Sequence, residues 1–397
     1  MRLMVLQLNY QTTLNEIINR HIAIGVEVEK HRISPDQTLS LRPFPENLSA
    51  ELRPYVKREF CTSQLEFALP HSTDPELNVK LIGAVIKGTA QQLAPEEQIW
   101  HYSCPPQIPC PLAEVPISQV PEESNEYRRQ SVLKHDVRRL LNNGTHINFS
   151  FSQEAIAYLM RELHFATRDD LYLQIAQYFM INRWLLTYLF GATPFAGQDY
   201  FDQHHLCGPV RSIRSSSLGF PNETRGDYRS VRHYIAAIDQ AVANGELLQP
   251  REYYESVRLK SGNSKDPNRI LKYGITHLEL RTFDLNPLTI SAVTPEQIRF
   301  IQLLALYFAY QPHLSGSQIQ QLLAVAAEMN EQVALEAPTQ QCAYATQGLT
   351  LLTELADFVE RQQLEATFSE VLDQFRDCFI DADQTLAAQV LAQFDTY

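Results

Sequence analysis

The sequence predicts an α+β fold in which an antiparallel sheet forms the floor of an active site and helices surround it. Four segments, 25–33, 59–70, 144–152 and 274–283, alternate polar and apolar residues with the period of two that marks a half-buried strand. Their polar faces carry carboxylates, imidazoles and amides, while their opposite faces are apolar. From Thr294 to the C-terminus the pattern is wholly helical. The expected organisation is one catalytic domain over residues 1–397, with the sheet in 1–290 and an all-helical part in 291–397.

Charge narrows the partners. A net charge of -13 over 397 residues argues against general affinity for nucleic acid or an anionic membrane surface, because both need clustered positive charge. No run of about 18 apolar residues occurs, and the first residues, MRLMVLQLNYQTT, lack a basic region followed by an apolar core. The expected location is cytoplasmic, with small molecules or other proteins as partners. Cys61, Cys104, Cys110, Cys207, Cys342 and Cys378 show no CxxC or metal-finger spacing, so free thiols are expected.

In chain order, residues 1–20 have helical spacing, and Thr13 to Glu16 (TLNE) resembles a capping box. The strand GVEVEKHRI, 25–33, places Glu27, Glu29 and His31 on one face and Val26, Val28 and Lys30 on the other. Alone, such a strand is as simply an edge strand with a solvated acidic face. Residues 34–54 read as a proline-rich loop followed by a short helix. In EFCTSQLEFALP, 59–70, Glu66 opposes Leu65, Phe67 and Leu69. Residues 95–125 contain seven prolines and read as a long loop. Residues 127–141 read as one basic helix, which is either a solvated face paired with acidic neighbours or a phosphate contact.

In GTHINFSFS, 144–152, His146, Asn148 and Ser150 share a face opposite Ile147, Phe149 and Phe151. A histidine so placed is ordinarily a hydrogen-bonded core residue, but here its face matches those of the acidic strands. Residues 153–192 read as helical, with WLLTYLFGATP as a buried helix end, and RSIRSSSLGF, 211–220, as an anion-binding loop. The last strand, GITHLELRTF, places His277, Glu279 and Arg281 together, and DLNP then ends it. The helical C-terminal part shows no motif that specifies chemistry.

Glu27, Glu29, Glu66 and Glu279 cannot share a cleft without cations. Oxygen donors with one imidazole favour Mg²⁺ or Mn²⁺ over Zn²⁺. Magnesium held by carboxylates and completed by substrate oxygens is a common way to handle a nucleoside triphosphate, with arginines supplying counter-charge. No GxxxxGK[ST] loop is present, so ATP would be held by metals and a sheet surface.

The blocks GVEVEKHRI, FCTSQLEFALP, IWHYSCPP, EYRR, NGTHINFS, LFGATP, RSIRSSSLGF and HLELRTFDLNP resemble, in order and spacing, those of the bacterial glutamate-cysteine ligases. The likeness covers about residues 20–290 and includes the N-terminal half of the bifunctional glutathione synthases. The resemblance implies a glutamine synthetase-like fold. It also implies ATP-dependent joining of the γ-carboxylate of L-glutamate to the amine of L-cysteine through γ-glutamyl phosphate. By the same resemblance Glu27, Glu29, Glu66, His146 and Glu279 are the metal ligands. Arg281 meets the glutamate and the transferred phosphoryl group, and Arg128 and Asn148 contact the nucleotide. Tyr127, Phe60, Arg214 and Phe220 belong to the acceptor pocket.

Three departures bear on this expectation. Phe220 stands where better-known members carry tyrosine, which removes a hydroxyl and can change the acceptor preferred. Glu59 stands where aspartate is common, a change of one methylene. The chain also ends about a hundred residues after DLNP, without a second catalytic half, so the product is expected to remain the dipeptide. A γ-glutamyl ligase for another amino acid or amine, and a non-catalytic nucleotide- or metal-binding protein on the same fold, are the competing expectations.

Overall fold

The computed structural model describes residues 13–197, 199–201, 206–220 and 224–394. The start of the N-terminal helical stretch, residues 1–12, lies outside the described residues. In chain order the strands are β1 (Ile22–Ile33), β2 (Val56–Arg58), β3 (Gln64–Ala68), β4 (Gln98–Ile99), β5 (Thr145–Phe151), β6 (Val257–Lys260) and β7 (His277–Phe283). The helices before the sheet is complete are α1 (Leu14–Arg20), α2 (Pro75–Ala90), α3 (Glu122–Lys134), α4 (Val137–Leu140), α5 (Gln153–Leu163), α6 (Arg168–Ile181), α7 (Arg183–Phe190), α8 (Val231–Ala243) and α9 (Arg269–Tyr273). After it come α10 (Pro295–Ala309), α11 (Gly316–Leu335), α12 (Ala345–Arg361), α13 (Ala366–Ile380) and α14 (Leu386–Phe394).

The strands form one antiparallel sheet in the order β2-β3-β1-β5-β7-β6, with β4 pairing to the end of β1. Register sets the site. Glu27 lies opposite His146, Glu29 opposite Glu66, and Asn148 opposite Glu279, so residues from four strands share one face. On the other face Val26, Val28, Leu65, Phe67, Ile147, Phe149, Leu278 and Leu280 are fully buried. A one-residue slip in any strand would exchange the two sets, so burial of the apolar face locks the polar register.

That apolar face is covered by helices. α2 packs on β1 and β3, α6 and α7 pack on β7, and α10 packs between α2, α6 and α13. α10 is buried on nearly every side, as Ile298, Phe300, Ile301, Leu303 and Leu304 show, which explains a helix that lacks a polar stripe. Its start is set by a reciprocal capping box between Thr294 and Gln297.

Several local expectations change. Three short strands, β2, β4 and β6, extend the four expected ones; β2 and β6 are the sheet's edges and pair only on one side. The basic stretch 127–141 is not one helix. α3 starts earlier, at Glu122, and ends before His135, and Asp136 then caps α4 by accepting a hydrogen bond from Arg138 N at 3.0 Å. The helical stretch expected over residues 153–192 is divided into α5, α6 and α7, with Thr167 and Asp170 forming the capping box that starts α6. The short helix expected before Pro54 is a single 3₁₀ turn at Arg53–Tyr55. At the N-terminus Thr13 accepts from Glu16 N at 3.1 Å, as a cap of α1 does. No described helix is long and apolar enough to cross a membrane.

The far end of β1 is anchored by a buried ion pair. Arg32 Nη1 donates to Glu97 Oε1 at 2.6 Å, and Arg32 Nη2 donates to the carbonyls of Arg42, Pro43 and Thr62. Both side chains are almost fully buried, 1% and 4% exposed. Removing one partner leaves a charge without water or counter-ion, so Glu97→Ala is expected to lower stability by about 3–5 kcal/mol. Equilibrium unfolding in denaturant measures this, and a loss below about 1 kcal/mol would show the pair to be dispensable.

Candidate active site

The charged face of the sheet holds more carboxylates than its backbone can satisfy. His146 stands at the centre: its Nδ1 lies 3.7 Å from Glu27 Oε2 and 3.9 Å from Glu279 Oε1, and its Nε2 lies 3.8 Å from Glu29 Oε1. Glu27, His146 and Glu279 offer ligand atoms that all lie within 4.8 Å of one another. Glu29 also accepts a hydrogen bond from Gly144 N at 3.1 Å. Next to it Glu66 and Glu59 complete a second carboxylate group.

Electrostatics separates these groups. Burial favours the neutral form of Glu27, but the hydrogen bond and charge of His146 outweigh it and hold Glu27 below the ordinary carboxylate range. Burial opposes ionisation of Glu279 still more strongly, yet Arg281, Arg258, Lys260 and His146 hold it well below that range. For Glu59, burial and then repulsion from Glu29 and Glu66 push the carboxyl up to about 8. Glu66 is also raised, by burial and then by Glu27, with Lys57 pulling the other way. Carboxylates held apart from their ordinary range by one another call for a cation.

The side chains present fit a divalent ion. His146 Nε2 is buried without a hydrogen-bond partner and lies 3.8 Å from Glu29 Oε1, which leaves a ligand nitrogen available beside a carboxylate. The donor set is oxygen-rich with one imidazole. Lys57 and Lys260 stand at the sheet edges as internal counter-charges, with Nζ 2.9 Å from Glu66 Oε1 and 3.4 Å from Glu279 Oε2. Arg258 Nη1 lies 3.8 Å from Glu279 Oε2.

Two cavities meet at this face. One, of about 690 Å³, is lined by Glu27, Glu66, His146, Asn148 and Glu279, with Lys57, Arg128, Arg258, Lys260 and the turn Gly262 to Lys265. The other, of about 870 Å³, is lined by Arg214, Ser215 to Ser217, Phe220 and residues of α11. Glu29, Glu59, Phe60, Tyr254 and Arg281 line both and form the wall between them. Arg281 Nη1 donates to Glu279 Oε1 at 2.9 Å, and burial, which alone would lower its pKa, is outweighed by Glu279 and Glu29.

The residues expected to form an acceptor pocket are divided between the cavities. Tyr127 lines the smaller one, Arg214 and Phe220 the larger, and Phe60 both. Tyr254 joins them: its hydroxyl lies 3.3 Å from that of Tyr127, and its ring centroid lies 4.6 Å from that of Phe220. Phe220 also packs against His135 at 5.0 Å. Arg214 is engaged within the protein, as Nη1 donates to Arg281 O at 3.0 Å and lies 3.8 Å from Asp284 Oδ1. Its guanidinium lies where a Cβ on residue 144 would stand, so only glycine there lets Arg214 approach β5. Arg128 Nη1 donates to Ser118 O at 3.0 Å, and its guanidinium is nearly buried against the smaller cavity.

Sequence reasoning missed Lys57, Arg258, Lys260, Tyr254 and the 262–265 turn, and treated Glu59 only as a substitution. The Gly262-Asn263-Ser264 turn after VRLK was the available signal for β6 and its lysine. It also missed the helical part's contribution, since Ala327, Asn330 and Glu331 of α11 line the larger cavity and Glu331 holds Ser217.

The family model for glutamate-cysteine ligase matches residues 6–330 of the chain. The bifunctional glutathione biosynthesis protein of Streptococcus thermophilus is 29% identical over 395 residues, 96% of this chain and 52% of its own length. That of Streptococcus agalactiae is 30% identical over 382 residues, 94% of this chain and 50% of its own. The chain thus spans about half the length of the curated relatives it matches. Among solved structures, the bifunctional glutathione synthetase from Pasteurella multocida superposes with a TM-score of 0.86 at 27% identity, covering 96% of this chain and 51% of that one. A glutamate-cysteine ligase from Francisella tularensis, solved with AMP, shares the fold with a TM-score of 0.84 at 17% identity, covering 95% of this chain and 86% of that one.

Replacing Glu279 by Gln keeps the shape but removes the charge that pairs with three cations. Manganese binding followed by electron paramagnetic resonance is expected to weaken on the order of 10-fold or more. Unchanged affinity would remove Glu279 from the metal site.

Proposed function

The chain belongs to the glutamate-cysteine ligase family, and from that premise we propose that it joins the γ-carboxylate of L-glutamate to the amine of L-cysteine at the expense of ATP. The observation that carries this reading is the wall shared by the two cavities. A cavity of about 690 Å³ lined by carboxylates and cations adjoins a larger one of about 870 Å³, and Arg281 belongs to both. Transfer of a phosphoryl group from one side to a carboxylate on the other needs a fixed cation at that boundary.

A carboxylate and an amine do not condense at neutral pH, because oxide is not a leaving group. In the proposed sequence a γ-carboxylate oxygen of glutamate attacks the terminal phosphorus of ATP and ADP departs. The amine nitrogen of the acceptor then attacks the acyl carbon, loses a proton and expels phosphate. Arg281, anchored by Glu279, holds positive charge beside the oxygens that pass between the cavities. Lys57, Arg258, Lys260 and Arg128 line the nucleotide side, where Asn148 faces the same cavity. Glu27, His146 and Glu279, with Glu29 and Glu66 alongside, would hold Mg²⁺ or Mn²⁺. Such an ion, when bound, would supply positive charge to neutralise phosphate oxygens. Phe60 and Tyr254 place their rings in the wall between the cavities, and the Tyr254 hydroxyl lies 3.3 Å from that of Tyr127. Phe220, packed between His135 and Tyr254, gives the acceptor side an apolar wall suited to a small, soft side chain such as that of cysteine.

ADP release measured with L-glutamate and a panel of amino acids and amines tests the assignment. The expected outcome is fastest turnover with L-cysteine and none after removal of divalent ions by a chelator. Faster turnover with a non-thiol acceptor would move the assignment to another γ-glutamyl ligase, and ATP binding without ADP release for any acceptor would favour a non-catalytic role. Arg281→Met is expected to lower kcat on the order of 10²–10³-fold, with folding unchanged by circular dichroism.

A further inference from the structure

Asp284, the residue after β7, joins three segments that meet behind the larger cavity. Its carboxylate has no exposed surface, and no step above uses it. Oδ2 accepts three hydrogen bonds, from Ala192 N at 2.8 Å, Thr193 Oγ1 at 2.5 Å and Ser212 Oγ at 2.7 Å. Oδ1 accepts none, and it lies 3.8 Å from Arg214 Nη1. Arg214 lines the cavity, and the same Nη1 donates to the carbonyl of Arg281, so one guanidinium nitrogen faces both the strand and the buried carboxylate.

The two oxygens have different tasks. A hydroxyl can turn to donate or accept, but the backbone N–H of Ala192 can only donate. It therefore requires an acceptor at Oδ2 and fixes the rotation of the carboxylate, which leaves Oδ1 on the side of Arg214. A buried carboxylate oxygen without a donor is costly unless a cation faces it. The dependence runs the other way as well. Burial lowers the pKa of Arg214, and Asp284 is the strongest of the charges that oppose this, ahead of Glu29.

Resting on the ligase reading, we propose that Asp284 is a positioning residue: enclosed itself, it sets where Arg214 presents its guanidinium to the α-carboxylate of the acceptor. That carboxylate is a bystander in acyl transfer, so holding it orients the acceptor while leaving the lone pair of its amine free to attack. The shared Nη1 couples this anchor to the backbone of Arg281, the cation at the boundary between the cavities. Asp284→Asn isolates the effect. Ala192 N keeps the amide oxygen at the Oδ2 position, so the NH₂ group stands where Oδ1 was and meets Arg214 donor to donor.

The test compares L-cysteine with cysteamine, which lacks the carboxylate, by ADP formation at saturating ATP and L-glutamate. In Asp284→Asn, kcat/KM for L-cysteine is expected to fall on the order of 10–100-fold through KM, with the value for cysteamine within about 3-fold of wild type. Arg214→Met is expected to narrow the same preference, and adding Asp284→Asn to it to change the ratio by less than about 2-fold, because both act through one contact. An equal loss for the two acceptors would make Asp284 a merely structural residue and overturn the assignment, as would an unchanged ratio. If Asp284→Asn does not fold, Thr193→Val removes one of the donors that hold Oδ2; a several-fold narrowing of the preference supports the assignment and an unchanged ratio overturns it. Equilibrium dialysis with L-cysteine separates the two readings. If wild type forms no ADP with any acceptor the ligase reading falls, whereas L-cysteine binding that is weakened alike in Asp284→Asn and Arg214→Met still supports the role of Asp284, and binding equal to wild type in Asp284→Asn overturns it.

Discussion

Mutual repulsion among Glu27, Glu29, Glu59, Glu66 and Glu279 is the constraint to which the surrounding structure responds. Two unit charges about 4 Å apart interact by about 4 kcal/mol at an effective dielectric of 20, a large fraction of a domain's net stability. Glu29 and Glu66 are direct cross-strand neighbours, the placement in which like charges are least tolerated. The protein meets this with cations at both sheet edges, with His146 between the acidic groups, and with a proton on Glu59 favoured by its burial and neighbours. A divalent ion would relieve the same repulsion, so the face is poised to take one.

Holding such a face together depends on its reverse side. The strands that display carboxylates bury valine, leucine, isoleucine and phenylalanine against α2, α6, α7 and α10, and it is this burial that prevents the strands from slipping out of register. The apolar and charged patterns are therefore two faces of one constraint: each strand contributes a ligand only because its neighbours in sequence are locked in the core.

Charge also divides the space. Carboxylates, lysines and arginines line the smaller cavity and a mixture of arginine, serine and carboxylate the larger, with Arg281 common to both. For the proposed acyl-phosphate route this separation keeps the phosphoryl donor and the two amino acids apart except at one boundary. No protein nucleophile is required, which agrees with Cys61, Cys104, Cys342 and Cys378 being buried free thiols.

By itself the sequence determined the four long strands, the side of each that carries Glu27, Glu29, Glu66, His146, Glu279 and Arg281, and the family those blocks belong to. It could do so because strand alternation is a local property, visible over five to ten residues without knowledge of neighbours. Edge strands of three or four residues are too short to show that period, so Lys57, Arg258 and Lys260 escaped notice, and Asp136 broke a helix that composition alone would continue. Only the tertiary structure decided that Arg214 is engaged with Asp284, that Tyr254 stands between the cavities, and that Arg183 meets Glu255 across 72 positions of chain. Such meetings are made by packing helices onto a sheet, and no repeat in the sequence encodes which distant residues packing brings together.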